Sequence, residues 1–175
     1  QTIGLQIQGH LRGGACMMTM CPSCFELYSD IWSKPCCKCS DKTITVSIEL
    51  IRATQLLLSR GFRVYSAVCE TDKDSCGNYV TRIDIYFEEL YPDSMFSELP
   101  PDWEICDYYR MVDGGKALDR PASVITCICV HPNDVTDSDD SIAFDRLITI
   151  TNFETWIENK DTDACKSLIV LAGCR

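Results

Sequence analysis

The sequence predicts an all-β, mainly antiparallel domain: a disulfide-stapled β-sandwich with at most one or two short helices, and an α+β arrangement as the alternative. Three observations lead there. Roughly eight or nine short stretches alternate apolar and polar residues between turn signals. Thirteen cysteines run through all 175 residues. No internal repeat or low-complexity segment is evident. The length suits a single extracellular-type domain, residues 1–175, in which 16–39 form a cysteine-rich N-terminal subregion. A chain of this size buries its own core, so the cysteines exceed what stability of a small scaffold would demand. It opens on Gln1 without a basic-then-apolar leader, which reads as a processed product. No apolar run approaches the ~20 residues of a membrane span, so no membrane insertion is expected.

The elements follow in order. Ile3, Leu5 and Ile7 alternate with polar neighbours as a first strand, which Arg12-Gly13-Gly14 ends. Phe25, Leu27 and Ile31 offer apolar side chains before Lys34-Pro35 interrupts. Thr43–Leu50 is the cleanest strand signal, with Ile44, Val46, Ile48 and Leu50 on one face. Arg52–Arg60 contains helix formers, and Gly61 stands where a helix C′ glycine would, so a short helix or loop is expected. Phe62–Cys69 and Tyr79–Phe87 read as a hairpin across the polar turn Thr71–Asn78. Prolines 92, 100 and 101 forbid regular structure. Trp103–Val112, Ala122–Val130, Arg146–Phe153 and Ser167–Ala172 complete the expected strands.

The cysteines admit two chemistries. Cys16, Cys21, Cys24, Cys36, Cys37 and Cys39 fall within twenty-four residues, and Cys69, Cys76, Cys106, Cys127, Cys129, Cys165 and Cys174 are dispersed. Dispersal favours a disulfide framework in a secreted protein. Cys36 and Cys37 are neighbours and need different partners; Cys127 and Cys129 share a strand face and also need separate ones. Cys69 and Cys76 are placed to close the hairpin loop. An odd total leaves one thiol free or linked to another chain, for which Cys174 is the candidate and a disulfide-linked oligomer the consequence. The alternative is zinc. Cys21-x2-Cys24 followed by Cys36, Cys37 and Cys39 resembles a pair of zinc knuckles, although the second cluster reads as CC-x-C. Cys16-x4-Cys21-x2-Cys24 also matches the start of a plant-type iron–sulfur spacing.

The net charge of −10 is uneven. Residues 1–83 carry nine basic and seven acidic side chains, whereas 84–163 carry five and nineteen, a local balance of −14. Such a surface repels phosphate backbones and argues against nucleic acid as a partner. A basic protein or a divalent cation complements it. Asp134, Asp137, Asp139, Asp140 and Asp145 concentrate oxygen ligands in one stretch, a candidate calcium site that lacks the EF-hand's glycine and closing glutamate. No other cofactor is expected. His10 and His131 are the chain's two histidines. Cys129 lies two residues before His131, but acidic surroundings oppose a thiolate, and no catalytic motif stands out. The expectation is therefore a non-enzymatic, secreted, extracellular module that recognises another protein through loops and an acidic face. The ligand class is a basic cytokine, chemokine or growth factor, bound as a decoy or receptor ectodomain. Tyr91, Phe96 and Trp103 would be its aromatic anchors. The alternative is an intracellular zinc-binding interaction module built on Cys16–Cys39.

Overall fold

The structure is a computed structural model that describes residues 16–29, 34–112, 116–117, 120–131 and 139–174. The expected first strand and His10 lie outside them, as do Ile31, Asp134 and Asp137. In chain order come β1 (Met17–Met20), β2 (Leu27–Tyr28), β3 (Ile44–Ser47), α1 (Ile51–Ser59), β4 (Val64–Lys73) and β5 (Tyr79–Phe87). They are followed by β6 (Trp103–Tyr108), β7 (Met111–Val112), β8 (Lys116–Ala117), β9 (Ala122–His131), α2 (Asp139–Glu158) and α3 (Thr162–Leu171).

One open, seven-stranded sheet in the order β2-β1-β3-β4-β5-β9-β6 organises the described residues, and β7 and β8 make a separate small ladder. The fold is mostly sheet, but it is not an antiparallel sandwich: β3 and β4 run parallel, and three helices accompany the sheet. The reason lies in the segment between them. A parallel pair needs a crossover, and Ile51–Ser59 provides it as a helix that buries Ala53, Thr54 and Leu57. Gly61 takes φ +90°, as expected of the residue that ends such a helix, and its bare α-carbon lets Lys166 of α3 approach.

Two expected strands are helices. Arg146–Phe153 lies within α2, and Ser167–Ala172 falls largely in α3. A period of two would put Ile148 and Ile150 on one face, yet Ile148 is 43% exposed; Ile142, Ile150, Phe153 and Ile157 are the buried positions, and the last three follow helical spacing. Cys165 and Ile169, four apart, are the buried pair of α3. Tertiary packing on the sheet decides these cases, because β-branched residues tolerate either state.

One sheet face holds the core. Across the sheet, Cys69, Ile83, Cys127 and Trp103 stand in register, as do Ala67, Ile85, Ile125 and Ile105. Phe62 sits among Phe87, Tyr91 and Phe96 with ring centroids 5.1–5.7 Å away. Trp103 stacks on Phe153 at 4.2 Å, and Phe153 on Trp156 at 5.5 Å, which clamps α2 against the sheet. Polar contacts complete the helix layer. Arg60 donates to the carbonyls of Glu158 and Lys160 at the C-terminal end of α2, where a cation is favoured. Asp161 accepts from the Ala164 amide as the N-cap of α3.

Candidate metal centre

The cysteine-rich segment becomes two hairpin tips at one edge of the sheet. β1 pairs antiparallel with β2, Thr19 opposite Tyr28 and Met20 opposite Leu27, so Cys21–Glu26 is the turn between them. A second turn, Cys36–Asp41, is closed by the antiparallel bridge Pro35–Lys42. β3 follows it and lies against β1.

The two turns have the same construction. In the first, the Cys21 amide donates to the Glu26 carbonyl and the Phe25 amide to the Cys21 carbonyl. In the second, the Cys36 amide donates to the Asp41 carbonyl and the Ser40 amide to the Cys36 carbonyl. Phe25 and Ser40 both take φ +60°, a left-handed conformation that costs a non-glycine residue about 1–2 kcal/mol. Each leading sulfur accepts from the amides two and three residues on: Ser23 and Cys24 for Cys21, Lys38 and Cys39 for Cys36. The side chains cross-link reciprocally. Ser23 donates to Asp41 at 2.5 Å, and Lys38 reaches Glu26 at 2.6 Å. In each case the second residue after one leading cysteine meets the fifth residue after the other. The segment is thus an approximate two-fold repeat of Cys-x-x-Cys, a left-handed residue and an acid.

This corrects the reading of the second cluster as CC-x-C and of the chain as free of repeats. Counting Cys36 and Cys39, and passing over Cys37, restores the two-residue spacing and gives Cys21-x2-Cys24-x11-Cys36-x2-Cys39. The intervening Cys37 hid that signal, and the shared acid at Glu26 and Asp41 would have exposed it.

The four sulfurs of Cys21, Cys24, Cys36 and Cys39 lie within 4.8 Å of one another, with Cys24 and Cys36 3.6 Å apart. Four thiolates placed tetrahedrally at a zinc–sulfur distance of ~2.3 Å stand about 3.8 Å from each other, so the set fits that ion. Cys21 and Cys36 are buried, while Cys24 and Cys39 are exposed. None of the thirteen cysteines is at disulfide distance. The cysteines expected to pair are placed as follows: Cys69 faces the core while Cys76 is exposed in the hairpin turn, and Cys127 and Cys129 share a face with sulfurs 3.8 Å apart.

Electrostatics within the set favour a cation. The Tyr28 hydroxyl donates to Cys36 Sγ at 3.3 Å and, with the turn amides, lowers that thiol to about 6 against burial. Tyr28 itself is raised, because ionising it would forfeit the bond to Cys36. Cys39 is pushed up to about 12, first by its hydrogen bond with Cys24, then by desolvation and the neighbouring thiolates. Burial pushes Cys21 up as well. One thiolate is accommodated without help; four demand a compensating ion. Tyr28 fixes the orientation of a ligand sulfur, a contact of the kind whose loss typically weakens metal binding 10–100-fold. Tyr28→Phe is accordingly expected to raise the zinc dissociation constant by about 10–100-fold without changing stoichiometry, as read by competition with a chromogenic chelator.

Compared with known proteins, the chain matches no family model, no curated protein and no solved structure.

The other candidate residues are placed elsewhere. Tyr91, Phe96 and Trp103 are 2%, 3% and 6% exposed, so they belong to the core and are not surface anchors. Asp139 and Asp140 open α2, and Asp140 is exposed in its first turn, where a carboxylate complements the helix N-terminus. Asp145 lies on the same helix, 3.5 Å from Nδ1 of the buried His131. Among the described residues these carboxylates form no cluster with ligand-like spacing. Cys129 approaches Thr149 at 4.0 Å, and no hydrogen bond joins it to His131. Cys174 is half-buried and donates to the Leu90 carbonyl. Cys16 and Cys106 are exposed, and Cys165 is buried in α3.

Proposed function

We propose that this chain is a zinc-stabilised interaction module in which Cys21, Cys24, Cys36 and Cys39 hold a single structural ion. The observation that carries the reading is the convergence of four sulfurs from two turns of matching hydrogen-bond pattern. All four positions are protein thiols, which gives a closed structural site and leaves no coordination position for a catalytic water. The ion's role is then architectural: it joins the β1–β2 hairpin to the turn before β3 and so secures the outer edge of the sheet. Thiolate ligation needs reduced cysteines, a condition met inside cells more than outside them. The surface presented to a partner is acidic overall, and a basic protein partner suits it.

Metal content and thiol counting test the proposal. Protein purified in the presence of zinc should carry a single ion per chain, lost on replacing Cys36 and Cys39 by serine, with all thiols titratable after denaturation. Intramolecular disulfides among Cys16–Cys39 with no metal would sink it and return the secreted, disulfide-bonded reading.

The pH dependence of binding has a defined sign. Zinc takes up thiolates, so binding displaces protons and weakens as pH falls. Cys36, at about 6, is ionised at neutrality and contributes little to the slope there. Cys21 and Cys39 are raised and must each release a proton. From these two alone, affinity should fall by roughly 100-fold per pH unit on acidification from pH 8 to 7, at tenfold per proton. A pH-independent affinity over that interval would exclude thiolate ligation.

A further inference from the structure

The metal centre carries a fifth thiol in a defined position. Cys37 lies inside the Cys36-x-x-Cys39 turn and is exposed, with its Sγ 3.2 Å from the Tyr28 hydroxyl. That hydroxyl also receives the Cys37 amide at 3.2 Å and donates to Cys36 Sγ. One hydroxyl therefore joins a ligand sulfur to a sulfur that is surplus to tetrahedral coordination. The equivalent position of the first turn is Pro22, so the extra thiol breaks the two-fold pattern on one side only. Two of the four ligands, Cys24 and Cys39, are exposed on the same structure and open to small solutes.

We infer that Cys37 is a resolving thiol that makes the zinc centre reversibly responsive to hydrogen peroxide. The inference rests on the zinc reading above. In the first step the sulfur of Cys24 or Cys39 attacks a peroxide oxygen. A sulfur–oxygen bond forms, the oxygen–oxygen bond breaks, and the departing hydroxide takes a proton to leave as water. The ligand becomes a sulfenic acid and no longer holds the ion. In the second step Cys37 attacks that sulfur. The sulfur–sulfur bond forms, the sulfur–oxygen bond breaks, and the hydroxide leaves with the Cys37 proton as a second water. Two thiols are oxidised, one hydrogen peroxide is reduced, and zinc is released. Cys36 is the less suitable target: it is buried, and a ring between adjacent residues is strained. Capture as a disulfide also stops the ligand from advancing to the irreversible sulfinic acid.

The experiment uses the full zinc-loaded chain, hydrogen peroxide as probe, a chromogenic chelator to follow zinc, and peptide mass mapping. Wild type should release zinc, show a Cys37 cross-link to Cys24 or Cys39, and regain zinc after a dithiol reductant. Cys37→Ser should bind zinc equally well before oxidation but lose the cross-link and the recovery, with sulfinic acid accumulating on a ligand. Cys76→Ser, which removes an exposed thiol of the β4–β5 turn, should behave as wild type. Reversible release by Cys37→Ser, or a wild-type centre inert to peroxide, overturns the inference while leaving the zinc reading intact. Failure of wild type to bind zinc at the outset overturns both.

Discussion

On the proposed zinc reading, chelation, or replacing Cys36 and Cys39 with serine, should release the β2–β1 edge of the sheet while β4, β5 and β9 stay folded. Structural zinc supplies ~10–16 kcal/mol in small zinc-finger peptides, comparable to the ~5–15 kcal/mol net stability of a whole domain. An ion at the four sulfurs would concentrate that contribution on short elements. β2 is two residues long and β1 four, and two left-handed residues, Phe25 and Ser40, must be held in place. The central strands rest instead on Phe62, Phe87, Ile85 and Ile125, members of a hydrophobic core that does not include Cys21, Cys24, Cys36 or Cys39. Hydrogen exchange distinguishes the regions. The amides of Cys21, Phe25, Cys36 and Ser40 should lose protection on metal removal, and those of Ile83, Ile85 and Ile125 should retain it. Equal loss everywhere would mean that the ion supports the whole fold; no loss would mean that the turns hold themselves.

Phe62→Ala should destabilise the entire domain by about 3–5 kcal/mol, the range for deleting a large buried aromatic. Phe62 is 2% exposed and touches three other rings that link the loop after β5, the sheet and, through Phe96 and Trp156, helix α2. Rings on three sides of it would leave the cavity little means of collapse. Urea unfolding reads the effect as a lower midpoint at unchanged slope. Leu171→Ala is the control: that side chain is 82% exposed and should change stability by no more than about 0.5 kcal/mol. Comparable losses from the two substitutions would place the core elsewhere. The two experiments separate the molecule's supports, since zinc removal acts on an edge and Phe62→Ala on the centre.

Much of the sheet was legible because its strands obey a period of two. Ile44 and Val46 and the β4–β5 hairpin announce themselves by alternation and by a polar turn. Gly61 marked the end of α1 through the conformation that only glycine adopts freely. The two misassigned strands share a cause. Leu147–Ile150 and Leu168–Val170 are rich in residues that suit helix or strand, so local pattern left their state undecided. The aromatics of the proline-rich stretch invited a surface reading, yet Tyr91 and Phe96 turn inward, where with the 3-10 turn Asp93–Phe96 they pack against Phe62.

The cysteines divide the same way. By itself the sequence determined that six of the thirteen cysteines crowd into Cys16–Cys39, and spacing narrowed their chemistry to staples or ligands. Which sulfurs meet was decided by tertiary structure. β1, β2 and β3 bring two turns, fifteen positions apart at Cys21 and Cys36, to one sheet edge with their sulfurs facing. Folding also excluded Cys37 from the set and attached it to Tyr28, a residue no spacing rule would have chosen. Sequence spacing limits which groups can converge, whereas hydrogen-bonded backbone geometry sets where each side chain points, and metal chemistry depends on the second.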